Sequence, residues 1–149
     1  MTQKDEKEGF YHLDSSILIK LIILVVLLAL SAFFSSAETA LTTVNKIKLK
    51  TMADEDNKRA EKVLKVVSTP KKMLSAILIG NNIVNLSASS LATTLAIQIF
   101  GSVGAGIATG LLTLLILIFG EITPKSLATI NSTSLSLAFA PSIGGLMWL

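Results

Sequence analysis

The sequence predicts an all-α membrane protein with three transmembrane helices, amphipathic juxtamembrane helices, and a C-terminal apolar segment of short helices or a partial fourth span. Three observations carry that reading. Hydrophobic residues make up 51% of the 149-residue chain and charged residues only 15%, far below the roughly 25% of a soluble domain. The apolar residues are gathered into blocks of membrane-spanning length. Most basic residues lie in one segment between two of those blocks, the pattern of a cytoplasmic loop and not of a nucleic-acid surface, despite a net charge of +3. The absence of cysteine excludes disulfides and thiolate metal sites. The single histidine, His12, cannot build an imidazole cluster, which excludes a classical zinc site.

Residues 1–13 are polar and mixed in charge and read as a loose tail, with residues 14–149 forming one membrane domain. Acidic residues dilute any basic leader and no small-residue cleavage site follows the first apolar run, so no signal peptide is expected. Asp14-Ser15-Ser16 can cap a helix start. Residues 17–34 follow, almost wholly apolar; about 18 residues at 1.5 Å each give roughly 27 Å, just enough to span. Lys20 lies near the start and can snorkel outward. Ser31 and Ser35, four apart near the far end, share one helix face. Their hydroxyls can bond back to helix carbonyls, pack against a neighbour, or serve a site.

Residues 39–67 are amphipathic, with Val44, Leu49, Met52, Val63 and Val66 interleaved among lysines. Asp54-Glu55-Asp56-Asn57 reads as a turn between two helices lying on the cytoplasmic membrane surface. A basic helix of this kind can bind acidic lipid headgroups, although the preferred reading is a solvated face that fixes topology. Ser68-Thr69-Pro70 reads as a cap with proline at the first helical position, and Lys71 and Lys72 anchor the second span, residues 73–100. Asn81 and Asn85 share a face in its first half, continued by Ala88, Ala92 and Ala96. Amides at this depth need partners, as interhelical glue or as ligands.

Residues 101–104 form a tight uncharged turn, so the second and third spans make a helical hairpin. In the third, residues 105–122, Gly106 and Gly110 form a small-residue pair suited either to dimerisation or to packing within the chain. The span ends in Leu117-Ile118-Phe119-Gly120-Glu121-Ile122-Thr123-Pro124-Lys125, and Glu121 is the only acid after Glu61. A lone carboxylate at membrane depth points to function. Pro124 has no N–H, so the Gly120 carbonyl is expected to lose its helical partner where the helix is forced to end. A bare carbonyl beside a carboxylate suits hard cations such as Mg²⁺, Ca²⁺ or Na⁺; the plainer reading is a helix end with Glu121 in water. Residues 126–149 are apolar but rich in serine and threonine, and Pro141 with Gly144-Gly145 should break them, favouring a short or re-entrant helix pair over a full span. The chain stops inside an apolar run, as a piece of a longer protein would.

The charge pattern puts the basic loop 39–72 in the cytoplasm, the N-terminus and the Gly101 turn outside, and Glu121 to Lys125 inside. Ser31 with Ser35, Asn81 with Asn85, and Glu121 then fall at similar depth on three helices, which suggests one shared site. A single formal charge would hold a divalent ion weakly, as a transported ion requires. Enzyme chemistry is not expected: there is no histidine base, no aspartate pair and no glycine-rich phosphate loop.

Three strings occur in order: Leu30-Ser31-Ala32-Phe33-Phe34-Ser35-Ser36-Ala37-Glu38-Thr39-Ala40-Leu41, Ile79-Gly80-Asn81-Asn82-Ile83-Val84-Asn85 and Phe119-Gly120-Glu121-Ile122-Thr123-Pro124-Lys125. Together they closely resemble the transmembrane domain of the CNNM (cyclin M)/CorC magnesium transporters, from about residue 17 to the end. The resemblance implies a homodimer in the cell membrane that exports Mg²⁺, with Na⁺ coupling, followed by cytoplasmic paired CBS domains that bind ATP. It places the Mg²⁺ ligands on Ser31, Ser35, Asn81, the Gly120 carbonyl and Glu121, with Asn85 as a further ligand or as support for one. Two departures stand out. The CBS part is absent from this sequence. The family's Ser-Gly-Ser or Ser-Ala-Ser ahead of the glutamate reads Ser35-Ser36-Ala37 here, which shifts one hydroxyl and leaves Ser36 without an assigned role. The rival expectation is a membrane anchor whose polar residues only hold helices together.

Overall fold

The structure, a computed structural model, describes the backbone of residues 3–149 and the side chains of residues 15–149. Among the described residues all regular structure is helical, without strands. The first helix, α1, runs from Gln3 to Thr43. It therefore continues through the stretch expected to be a tail, and Asp14-Ser15-Ser16 does not start it; the Lys-Asp-Glu-Lys-Glu run before it contains no helix breaker. The side chains of that stretch, His12 included, lie outside the described residues.

Two short helices follow, α2 (Lys46–Asp54) and α3 (Lys58–Val67). Each is capped by an asparagine: Asn45 Oδ1 accepts from the N–H groups of Ile47 and Lys48, and Asn57 Oδ1 from those of Arg59 and Ala60. Between them Asp56 adopts φ 63°, a left-handed conformation that aspartate tolerates. This is the predicted two-helix amphipathic segment. Its apolar side is buried, with Leu49, Ala60 and Val63 fully inaccessible, while the lysines face outward.

The next helix, α4 (Pro70–Leu117), is broken at Gly101, where φ 69° and ψ −179° suit glycine alone. Asn85 and Ser89, before the break, line one cavity with Thr113 and Glu121, beyond it, so the chain folds back at Gly101 as a hairpin. Proline occupies the first turn of α4 as predicted, but the preceding hydroxyls do not cap it. Ser68 and Thr69 instead donate back to the carbonyls of Lys65 and Val66, finishing α3.

Pro124 does not end the helix. A π-helical turn, Ile118–Ile122, closes with the Thr123 N–H donating to the Ile118 carbonyl, and α5 (Thr123–Ile130) continues from it. The wider turn absorbs the missing proline donor where an α-helix would have to stop. The last helix, α6 (Ser132–Leu146), begins after a break at Asn131 and runs straight through Pro141 and both glycines. The expected short-helix pair is present, but its break lies ten residues earlier than Pro141 suggested. Packing of α6 against α1 and α3 holds it helical despite one lost hydrogen bond.

α1 and the outgoing arm of α4 run antiparallel. Lys20 Nζ donates to Gln98 Oε1 at 2.7 Å near the Gly101 break, and Ser31 Oγ donates to Asn85 Oδ1 at 2.6 Å further down. Ala88, Ala92 and Ala96, which continue the Asn85 face of α4, are all buried. The hydrophobic core gathers at the end where the short helices pack: Phe34, Ala37 and Leu41 of α1 meet Val63 and Val66 of α3, Ile77 of α4, and Ile143 of α6. Toward the Gly101 end the surface is apolar and exposed, with Val25, Val103 and Ile107 more than half accessible. Two helical segments, Ser15–Thr43 and Pro70–Ile130, are long and apolar enough to cross a membrane.

Candidate cation site

The site lies where α1, the outgoing arm of α4 and the π turn meet. Ser31 is at its centre, only 1% exposed. Its hydroxyl lies 2.6 Å from Asn85 Oδ1 and 3.2 Å from the Gly120 carbonyl oxygen, and donates between the two acceptors. Asn85 Nδ2 in turn donates to Asn81 Oδ1 at 3.4 Å. A cavity of about 160 Å³ opens beside them, lined by Ser31, Asn85, Ser89, Thr113 and Glu121 with Ile116 and Leu117.

Gly120 makes this approach possible. A Cβ there would come within 3.0 Å of Ser31 Oγ and 3.2 Å of Leu28 Cδ1, so a side chain would make these neighbours give by a few tenths of an ångström. Gly80 does the same one layer away: a Cβ would sit 2.5 Å from the Phe34 ring. The Gly120 carbonyl, expected to be bare, accepts from the Ser31 hydroxyl of another helix. The π turn, rather than a helix end, presents it.

The residues expected from sequence separate into groups. Ser31, Asn85 and Glu121 share the cavity, Gly120 joins them through Ser31, and Asn81 is one hydrogen bond away. Ser35 stands apart. It is completely buried, and its hydroxyl has no partner among the described residues. A buried hydroxyl left unpaired costs about 1–3 kcal/mol, so it invites a ligand or a water. Ser36, whose role the sequence left open, donates to the Pro124 carbonyl at 3.4 Å and ties α1 to the chain just past the π turn.

Glu121 is not free. Lys125, one turn on, places its Nζ 3.3 Å from Glu121 Oε1 and 3.6 Å from Glu38 Oε2. One ammonium thus bridges the carboxylate of the cavity and a carboxylate of α1. Sequence reasoning quoted Lys125 and Glu38 without giving them a part, although the four-residue spacing of Glu121 and Lys125 was visible. Ser89 and Thr113 were also missed; Ser89 continues the Asn81–Asn85 row by one more turn. Among the described residues no three His, Cys, Asp or Glu side chains cluster, so the site offers one carboxylate among neutral oxygens.

The family model for the cyclin M transmembrane N-terminal domain matches residues 22–149, a stretch that holds all of these residues. The chain belongs to that family. A UPF0053 protein of Haemophilus influenzae is 45% identical over 115 residues, covering 77% of this chain and 27% of its own length. The UPF0053 inner membrane protein YfjD of Escherichia coli is 42% identical over 101 residues, 68% of this chain and 24% of its own. An E. coli protein named polyamine export protein is 41% identical over 64 residues, 43% of this chain and 14% of its own. The chain thus spans about a quarter of the length of the first two curated relatives it matches. As a cyclin M membrane domain it is an integral membrane protein in contact with the lipid bilayer, and the exposed apolar surfaces of α1 and α4 are where that contact falls.

Proposed function

We propose that this domain transports Mg²⁺ across the cell membrane, binding the ion in the cavity beside Ser31. The supporting observation is the convergence of three oxygens from three elements, Ser31 Oγ, Asn85 Oδ1 and the Gly120 carbonyl, beside the lone carboxylate Glu121. Mg²⁺ takes about six oxygens near 2.1 Å, so adjacent ligands of its octahedron stand about 3.0 Å apart. The separations of 2.6 and 3.2 Å at Ser31 are those of O–H···O hydrogen bonds, so in the ion-free protein the Ser31 proton holds these oxygens together. Rotation of the Ser31 hydroxyl turns a lone pair toward the ion and frees the other two oxygens to join it. Ser35 and Asn81 extend the donor set, and water in the cavity completes it.

In this reading Lys125 is a tethered cation that neutralises Glu121 when no ion is bound and moves to Glu38 when one is. The ion meets a carboxylate already partly satisfied, so it binds weakly enough to leave. The domain crosses the bilayer three times, by α1 and the two arms of α4, with the N-terminus outside and residues 39–72 in the cytoplasm. It works as a homodimer by alternating access, exporting Mg²⁺ with Na⁺ as the coupling ion, and in the longer protein CBS domains attach on the cytoplasmic side. Gly106 and Gly110 suit the dimer contact, since a Cβ on either meets nothing within 4 Å.

A second reading has an observation of its own. Apart from Ser35 the polar cluster is internally hydrogen-bonded, as helix-holding glue in a non-transporting anchor would be. Titration of the purified protein with Mg²⁺, followed by calorimetry, separates the two. The transport reading expects saturable binding, weakened by Na⁺ and lost in Glu121→Gln. No heat of binding at any Mg²⁺ concentration supports the anchor. Binding of spermidine in preference to Mg²⁺ would instead align this chain with the relative named for polyamine export.

A further inference from the structure

A second, larger cavity of about 560 Å³ lies between α3, α6 and the start of α4, away from the cation site. Its polar rim is Lys62 and Lys65 of α3 and Lys72 of α4. Lys62 and Lys65, three apart, flank Val66 at the edge of the buried face of α3, and all three line the cavity. Core packing therefore holds both along the rim. Among the described residues none of the three lysines forms an ion pair with a carboxylate. Lys72 Nζ instead lies 5.5 Å from the centre of the Trp148 ring, a cation–π contact that leaves its charge unneutralised. The opposite wall is apolar, formed by Pro141, Met147 and Trp148.

We infer that this cavity binds the phosphate of an anionic phospholipid on the cytoplasmic face of the membrane. The volume lies in the range of small-molecule sites. Three lysines lining one cavity suit a phosphate anion. The apolar wall, which a free phosphate would not use, suits the glycerol and the first methylenes of the acyl chains. The position agrees: the apolar run of α4 begins at Met73, directly after Lys72, and the exposed ring of Trp148 is of the kind that settles at the headgroup level. The charged rim and apolar wall thus face the boundary at which a phospholipid presents the same two chemistries. The hydroxyls of Ser68 and Thr69, also on the wall, have their protons committed to backbone carbonyls, so the lysines are the anion-binding groups.

The test uses two features of the chain. Trp148 is its only tryptophan and lines the cavity, so its fluorescence reports occupancy. Gly145 also lines the cavity, and a Cβ there meets nothing within 4 Å, so Gly145→Leu fills the space without removing a charge. The protein in neutral detergent is titrated with dihexanoyl phosphatidylglycerol, dihexanoyl phosphatidylcholine, or inorganic phosphate. The inference expects a saturable Trp148 shift with phosphatidylglycerol at concentrations where the other two have no effect. Each of Lys62→Gln, Lys65→Gln and Lys72→Gln should weaken it roughly fivefold, and Gly145→Leu should abolish it. Gly145→Met, with a more flexible side chain, is the second occluding variant, and circular dichroism confirms that both fold. An equal response to phosphatidylcholine, a response to phosphate that matches the lipid, or normal lipid binding by both folded Gly145 variants would overturn the inference.

Discussion

Ser35→Ala is the substitution on which a structural hydroxyl and an ion ligand give opposite results. Ser35 is fully buried and its hydroxyl has no partner among the described residues. In the ion-free protein that hydroxyl carries a desolvation cost of about 1–3 kcal/mol, and alanine removes it. The loss on the other side is one oxygen's packing contacts, a few tenths of a kcal/mol at about 0.1–0.2 per atom pair. Ser35→Ala should therefore raise ion-free stability by about 1 kcal/mol, while Mg²⁺ affinity falls about tenfold because one ligand is gone. Ser31→Ala, four residues away, is the contrast: it strips a donor from Asn85 Oδ1 and from the Gly120 carbonyl and should destabilise the ion-free protein by about 1–3 kcal/mol. Chemical unfolding in detergent with and without Mg²⁺ measures both effects. A Ser35→Ala protein that is less stable without Mg²⁺ and binds the ion as tightly as the parent would refute the assignment of Ser35 to the site.

Three further substitutions probe the same architecture. Gly120→Ala places a Cβ 3.0 Å from Ser31 Oγ and must open the contact by a few tenths of an ångström. The overpacking penalty of about 1–3 kcal/mol is partly offset by the roughly 1 kcal/mol gained in helix propensity, so calorimetry should show modest destabilisation with a large loss of Mg²⁺ affinity. Lys125→Gln removes the ammonium that competes for Glu121; both side chains are about a third exposed, so the pair is worth at most about 1 kcal/mol, and Mg²⁺ binding should tighten up to about fivefold in a titration. Pro124→Ala restores an N–H and allows the π turn to relax to an α-helix, which should turn the Gly120 carbonyl away from Ser31 and weaken Mg²⁺ binding without removing a side-chain ligand.

Much of this was legible because the apolar blocks, the turn at Asp54 to Asn57 and the Gly101 break are local signals. The turn at Asp54 to Asn57 and the hairpin at Gly101 follow from the conformations those residues favour. The meeting of Ser31, Asn85 and Glu121 followed from depth alone, since a hairpin beside an antiparallel α1 brings like depths together. What was not legible depends on long-range packing. The π turn combines the missing Pro124 donor with a close approach of Gly120 to α1, and no spacing rule specifies that approach. Pro141 stays helical because α6 is packed against α1 and α3. The Lys125 bridge to Glu38 joins residues 87 positions apart, so half of that interaction was out of reach of any spacing rule. Ser35 is one turn from Ser31 in the sequence, but its burial without a partner among the described residues is a property of the packed state.

The central claim, that Glu121 and the oxygens beside Ser31 carry Mg²⁺ across the membrane, is tested most directly by Mg²⁺ flux. The protein is reconstituted in liposomes with a fluorescent Mg²⁺ indicator inside, and flux is recorded for parent and Glu121→Gln with and without a Na⁺ gradient. Glutamine keeps the size of the side chain and removes the only negative charge on the cavity wall. The prediction is Mg²⁺ flux in the parent that the Na⁺ gradient accelerates, and flux at the protein-free background in Glu121→Gln of equal folding and reconstitution yield. Parental flux in the Glu121→Gln protein, or no flux above background in either, would contradict it.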